Sequence, residues 1–324
     1  MAAYHFLCVN YATGDEIILI GFSRGAFTVR YLIKLVQELG LLAGLELGDL
    51  HEIFGRWWKT ASVRGNVSLN QEGDHPRNRP QIPIKACGLW DTVNSVWSTD
   101  LQTEIMGVEH VFHALSLHEH RYDFQVVMAS VPDGEQHLEQ CWFSGYHGDV
   151  GGGREDDALA HLALAWMMGK LDRLIDFNKL AFYQKEMVNS RWRAVLNRDE
   201  GRRLTSIAPD SRTLGWRVWE TMALPFRKIM NVYRRPGITV PDIHEYIHRS
   251  VWKLTSQHSE FLKPCWALKG VTPEDPTNGV RHWTPRESLR RMQETMRKRG
   301  KTKTERTFSS AFRMAQAWMM TMEL

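Results

Sequence analysis

The stretch from Gly14 to Leu35, GDEIILIGFSRGAFTVRYLIKL, limits what this chain can fold into more than any other. Ile17 to Ile20 are four successive aliphatic residues without polar alternation, the pattern of a strand covered on both faces in a parallel sheet. Gly21-Phe22-Ser23-Arg24-Gly25 follows at once. Beyond it Phe27, Tyr31, Leu35 and Val36 recur at helical spacing while Thr28, Arg30 and Lys34 fall elsewhere. The segment therefore predicts a strand, a very tight turn and an amphipathic helix, which places the chain in the α/β class.

The turn has a chemical reading. A serine at the apex of a strand-to-helix turn is held in a strained backbone conformation, and small residues two before and two after it let strand and helix approach closely. Gly21 and Gly25 meet that need. Ser23 is then a candidate nucleophile at a helix N-terminus, where the Arg24 backbone N–H can stabilise a developing oxyanion. The five-residue pattern alone arises by chance in roughly one chain in ten of this length, so its weight comes from the strand before it and the helix after it.

With 324 residues, 43% of them hydrophobic, the chain is globular in composition and long enough for one large domain or two modest ones. Cys8, Cys87, Cys141 and Cys265 lie far apart, which fits a reducing compartment and argues against a thiolate metal cluster. No run approaches the roughly 18 apolar residues of a membrane span, and MAAYHFLCVNYATGDE lacks a basic segment followed by an apolar core; the expectation is a soluble, cytoplasmic protein. The formal charge of +4 is uneven: Arg281 to Arg306 carries a local +7, leaving −3 elsewhere. That run reads as a solvated basic helix face or as a contact with a membrane surface, and no nucleic-acid partner is expected.

Taken in order, Ala2 to Tyr11 reads as a short helix. Gly40 to Pro83 is an excursion that ends in loop-like composition. Ile82 to Leu89 resumes a buried strand and runs into Trp90-Asp91-Thr92-Val93. Asp91 there either faces the ligand side of an open sheet or caps the next turn. Val108 to Ser116 reads as helix and is followed by His118, Glu119, His120 and Arg121. Gln125 to Ser130 and Leu138 to Phe143 read as strands bracketing a Pro132-Asp133-Gly134 turn. The second runs into Ser144-Gly145-Tyr146-His147-Gly148-Asp149-Val150-Gly151-Gly152-Gly153, where Gly151 to Gly153 allow backbone conformations that let Asp149 sit beneath a neighbouring loop. His147 with Asp149 supplies two candidate metal ligands, too few for a site.

Ala158 to Leu174 follows as a helix with Leu159, Leu162, Trp166 and Met167 on its core side. Asp176 to Gly237 holds charged helical pieces around Trp192, Trp216 and Trp219, either core aromatics or a lid. Phe308, Phe312, Ala315, Met319 and Met322 form a docking stripe near the C-terminus.

His244-Glu245-x-x-His248 has two readings. On a helix the two histidines would hold zinc with Glu245 as base, a pattern that chance produces in about a few per cent of chains of this length. No third ligand stands at a familiar spacing. Alternatively His248 is a general base that takes the Ser23 proton, oriented by Asp149. Ser23, Asp149 and His248 stand in the order nucleophile, acid, histidine, which is the α/β-hydrolase order.

GFSRGAFTVRYL, GLWDTV, FHALSLHEHR, LEQCWFSGYHGDVGGG with LALAWMM after it, and IHRSV together resemble the α/β-hydrolase family that includes the catalytic domain of type VI secretion phospholipase effectors and their fungal homologues. The likeness covers roughly Tyr4 to Val251 and looks more fungal than bacterial. It implies an α/β-hydrolase-like fold, a mainly parallel sheet with flanking helices, expected over residues 1–262; the composition beyond it reads as a basic helical tail over 263–324. It also implies lipid or phospholipid ester hydrolysis without a cofactor by Ser23, Asp149 and His248, with Gly21, Arg24, Gly25, Asp91 and His147 in support. Family members begin with an Asp-Gly-Thr strand well before the serine, and this chain has no such segment. Two other readings stand beside the hydrolase: an inactive truncated homologue acting as a binding protein, and a zinc peptidase using His244, Glu245 and His248.

Overall fold

A computed structural model describes residues 1–63, 82–93, 104–121, 124–132, 137–154, 157–178, 234, 244–248, 250–251, 254 and 281–283. Three sequence readings, the Pro132–Gly134 turn beyond its proline, the tryptophan-bearing lid segment and the C-terminal stripe, lie outside these residues.

The aliphatic run and the glycine turn fold as read. Helix α1 (Ala2–Asn10) leads to strand β1 (Ile17–Phe22), and helix α2 (Arg24–Leu39) starts one residue after the strand ends. A short 3₁₀ turn (Gly44–Leu47) and helix α3 (Leu50–Val63) follow, then strands β2 (Ile84–Trp90), β3 (Val108–Ser116) and β4 (His137–Phe143). Helices α4 (His147–Gly151) and α5 (Ala158–Leu171) precede strands β5 (Glu245–His248) and β6 (Arg281–Trp283). The six strands form one sheet in the order β1-β2-β3-β4-β5-β6, and the pairs β1–β2, β4–β5 and β5–β6 are parallel. The basic run that starts at Arg281 reads from sequence as helix, but its first three residues, Arg281 to Trp283, are strand.

By its internal contacts the chain divides into two compact units, residues 1–113 with 123–139 and residues 114–122 with 140–324, the division falling inside β3 and inside β4. The core of the first unit joins Ile33, Leu35, Val36 and Leu39 of α2 to Ile84, Cys87 and Leu89 of β2 and Val108 and Val111 of β3. Tyr4 anchors α1 by donating its hydroxyl proton to the Gly40 carbonyl, 2.8 Å away. In the second unit Leu159, Leu162, Trp166 and Met167 of α5 are all buried, as their spacing predicted.

Three expectations change. β1 is not fully covered on both faces: of its six residues only Ile17 is buried, and Ile20 is 53% exposed. Val108–Ser116 is a strand, not a helix. Its last six residues are all buried, so apolar and polar residues fill both faces without alternation, and the spacing of Val108, Val111, Phe112 and Leu115 imitates a helical stripe. Gln125–Ser130 is not a strand either; among the described residues it pairs only through isolated bridges, Val93 with Val126 and Glu104 with Ser130.

Candidate active site

The serine turn lies wholly in the first unit. Ser23 has φ 58° and ψ −122°, a left-handed conformation that a non-glycine residue adopts only under constraint. The constraint is visible on both sides. The Ser23 N–H donates to the Trp90 carbonyl of β2 at 2.9 Å, continuing the β1–β2 ladder, while the Ser23 carbonyl already accepts the first α2 bond from Phe27 N–H at 3.1 Å. The Ser23 side chain makes no capping hydrogen bond to α2. A Cβ on Gly21 would lie 2.7 Å from the Ala26 nitrogen and from the carbonyl carbon and oxygen of Gly25, so only glycine permits this approach. Gly25 is different: a Cβ there meets nothing within 4 Å, and the expected steric need for glycine at that position is absent. Arg24 is exposed and opens α2.

Asp91 sits just past the end of β2, next to the residue whose carbonyl receives the Ser23 amide. It is fully buried with φ 44°, another non-glycine residue in the left-handed region. The following amide, Thr92 N–H, donates to Nε2 of the buried His113 at 3.2 Å, which assigns the proton of neutral His113 to Nδ1. Sequence reasoning placed Arg30 off the core face of α2. It is buried and donates from Nη1 to the carbonyls of Val127 and Met128 at 3.0 and 3.2 Å, and burial lowers its pKa to about 10. Its only sequence signal was a helical position one residue beyond Val29.

The second unit holds Asp149, His147 and His248. Here residues 117–119 run along 143–147: Leu117 N–H donates to Phe143 O, His118 N–H to Gly145 O, and Gly145 N–H to His118 Nδ1 at 2.8 Å. Burial pushes His118 down to about 4, so it is neutral near pH 7 with its proton on Nε2. Glu119, almost fully buried, accepts from the His120 and Arg121 amides, from Arg121 Nε and Nη2 at 3.0 and 2.9 Å, and from His147 N–H at 3.3 Å. Burial alone would raise its carboxyl, but the bonds from Arg121 and the charges of Arg121 and Arg234 outweigh that and hold it below the ordinary value. Arg234, buried, donates from Nη1 to the Ser116 carbonyl at 2.8 Å.

Asp149 is buried in the first turn of α4, where Oδ2 accepts the Tyr146 N–H at 2.7 Å and Oδ1 lies 2.8 Å from Arg154 Nε. The glycine that admits it is Gly145, with φ 106°, where a Cβ would come within 2.5 Å of the Asp149 Cβ. Gly152 and Gly153 do take positive φ, as expected, whereas Gly151 closes α4. His147 is buried at the start of α4.

His248 ends β5, buried against the Phe143 ring at 4.7 Å and 29°. Its Nδ1 is 2.7 Å from Ser250 Oγ, and the Ser250 N–H points at the same atom from 3.3 Å. Burial pushes its pKa to about 3. The zinc reading of this segment loses its premise, because Glu245–His248 is a strand. Residues four apart in a strand lie about 13 Å apart, too far to share an ion. Glu245 is buried and accepts from Trp142 Nε1 at 2.7 Å, while His244 is exposed with φ 46°. Among the described residues no group of three or more His, Cys, Asp or Glu side chains is arranged to hold a metal, and that includes His147 with Asp149.

A strained serine between a parallel strand and a helix, with a buried aspartate at the end of the adjoining strand, is accompanied by a match at the level of whole-domain sequence. Residues 1–170 match the family described as T6SS, phospholipase effector Tle1-like, catalytic domain. The chain belongs to this family. The matched residues of the Tle1-like domain contain Ser23, Asp91 and Asp149; His248 lies beyond them. The Tle1-like chain is also similar to the uncharacterized protein YEL023C of Saccharomyces cerevisiae, 33% identical over 138 residues, 38% of this chain and 20% of that protein. It thus spans about a fifth of the length of that relative, and a fungal homologue accords with the resemblance seen in the sequence. No helix among the described residues is long and apolar enough to cross a membrane.

Proposed function

We propose that this chain is a serine hydrolase of lipid or phospholipid esters. Ser23 attacks the ester carbonyl, His248 takes its proton and later returns it to the leaving alcohol, and water releases the acyl group from Ser23. The observation that carries the reading is the Ser23 backbone, φ 58° at the junction of β1 and α2, stabilised by the glycine-only contact at Gly21. The Arg24 N–H, first in α2, is the proposed oxyanion donor. Membership of a phospholipase catalytic-domain family supports a lipid substrate.

A buried imidazole with a pKa near 3 is a weak base unless a carboxylate faces it when the imidazolium forms. Chain order assigns that carboxylate to Asp149, supported by His147 beside it. A second reading assigns it to Asp91, and a specific observation favours it: Asp91 is buried and backbone-strained beside the strand end that receives the Ser23 amide.

A fluorophosphonate probe tests the nucleophile, with labelling expected in the intact protein and absent in Ser23→Ala; labelling that survives the substitution refutes the assignment. Hydrolysis of a short-chain ester by Asp91→Asn and Asp149→Asn separates the two acids. The true partner loses about 10⁴-fold in kcat, and equal modest losses in both would refute a triad.

A further inference from the structure

Trp90, Thr92 and Val93 are each tied to a neighbouring segment. The Trp90 carbonyl accepts the Ser23 N–H at 2.9 Å, the Thr92 carbonyl accepts the Val127 N–H at 2.8 Å, and Val93 bridges Val126. Among them Asp91 takes φ 44°, one residue past the last β1–β2 pair, Phe22 with Trp90, so the backbone leaves the ladder there. The next amide, Thr92 N–H, belongs to a wholly buried residue and needs an acceptor, because a buried donor left unmet costs more than a made bond gains. It finds one on β3, the next strand in the sheet, and the acceptor is a side chain: Nε2 of His113, 3.2 Å away and wholly buried as well. The residue type matters here. A carboxylate in place of His113 would bring a second negative charge to the turn that carries Asp91 and resist its ionisation, while lysine and arginine offer only donors. A neutral imidazole with its proton on Nδ1 supplies an acceptor at Nε2 and adds no charge.

We propose that His113 is a positioning residue of the serine site: by accepting the Thr92 N–H it holds the left-handed Asp91 backbone, and with it the Asp91 carboxyl group, in place beside the Ser23 turn. His113 acts through Asp91 and not on the ester, a role that rests on Asp91, and not Asp149, being the acid of the proposed hydrolase. The linkage is short and lies within one compact unit of the chain. His113 fixes Thr92, Thr92 is bonded to Asp91, and Asp91 is bonded to Trp90, whose carbonyl holds the Ser23 amide. A shift of the Thr92 amide is therefore passed to Asp91 across one peptide unit, and the planar, rigid peptide leaves little slack to absorb it.

Steady-state hydrolysis of a short-chain ester by the full chain tests this. His113→Leu fills the space and accepts nothing; a displacement of the acid by about 1 Å is worth about 10²-fold, so kcat falls by about that factor while KM stays unchanged. His113→Gln, whose carboxamide oxygen reaches about as far as Nε2, recovers most of the loss. In an Asp91→Asn background His113→Leu costs little more, because no carboxylate remains to be placed; losses that multiply in the double variant mark a purely structural histidine and overturn the proposal. His113→Leu at full kcat beside an impaired Asp91→Asn overturns it and leaves the role of Asp91 intact, whereas Asp91→Asn at full kcat refutes that role and the proposal together. If the leucine variant does not fold, His113→Asn, polar but too short to reach Thr92, replaces it in both arms. Heteronuclear NMR of histidine-labelled protein gives a readout that needs no ester: the His113 ring, identified by its loss in His113→Gln, carries its proton on Nδ1, and a proton on Nε2 overturns the proposal.

Discussion

Adding one methyl group at each glycine of the serine turn should have opposite effects. In Gly21→Ala the new Cβ falls 2.7 Å from three backbone atoms, well inside the 3.5–4.0 Å at which carbon atoms attract. None of the three can rotate away, because Ala26 N and the Gly25 carbonyl belong to the first turn of α2. The strand-to-helix turn must open, at a cost of about 1–3 kcal/mol. In Gly25→Ala the Cβ enters open space on a helical residue, where alanine is favoured over glycine by about 0.5–1 kcal/mol. The two variants should therefore differ by about 1.5–4 kcal/mol in unfolding free energy, a difference that urea denaturation of each against wild type resolves. Fluorophosphonate labelling gives a second readout: a shift of the Ser23 hydroxyl by about 1 Å is worth about 10²-fold in rate, so Gly21→Ala should label far more slowly and Gly25→Ala at nearly the wild-type rate. A Gly21→Ala protein as stable as wild type, or a Gly25→Ala protein less stable than Gly21→Ala, would refute the argument.

Arg30→Leu should destabilise by about 2–4 kcal/mol in denaturant titration, because it strips the charged donor from two carbonyls, those of Val127 and Met128. Stability should fall as pH drops below about 6.5: His118 and His248 are held neutral down to about 4 and 3, so the unfolded chain binds protons that the folded chain refuses, at about 1.4 kcal/mol per pH unit for each histidine. Replacing His118 with Gln should flatten that acid limb, measured as urea midpoints between pH 4 and 7, and an unchanged slope would count against it. Gly145→Ala, which combines φ 106° with a Cβ contact of 2.5 Å to Asp149, should cost about 2–4 kcal/mol by thermal unfolding, with no loss contradicting the packing described.

What the sequence made legible follows from how locally each element is determined. β1, the serine turn, α2 and α5 were readable because aliphatic run, glycine spacing and helical stripe each arise within a few neighbouring residues. β3 was not, since a strand buried on both faces has no alternation to display, and the polar His113 and Ser116 inside it broke the run into an apparent helix. The segment His244–His248 misled for a related reason: i, i+4 histidines signal a shared face only on a helix, and that conformation is set by pairing with β4, which local spacing cannot reveal. Arg30 looked like a solvent-facing cation because its acceptors, carbonyls nearly a hundred residues on, leave no trace in composition. Glu119 was visible in HEHR, but its grip on the His147 amide depended on two distant segments running side by side.

The uncapped start of α2 has a consequence of its own. A serine at a helix N-terminus ordinarily strengthens the helix by bonding an amide of the first turn, yet Ser23 makes no such bond and holds φ 58° besides. Replacing it with glycine should then remove the proposed nucleophile while relaxing the backbone, leaving a protein at least as resistant to unfolding as the original. In this turn durability and the proposed nucleophilic role pull on the same residue in opposite directions.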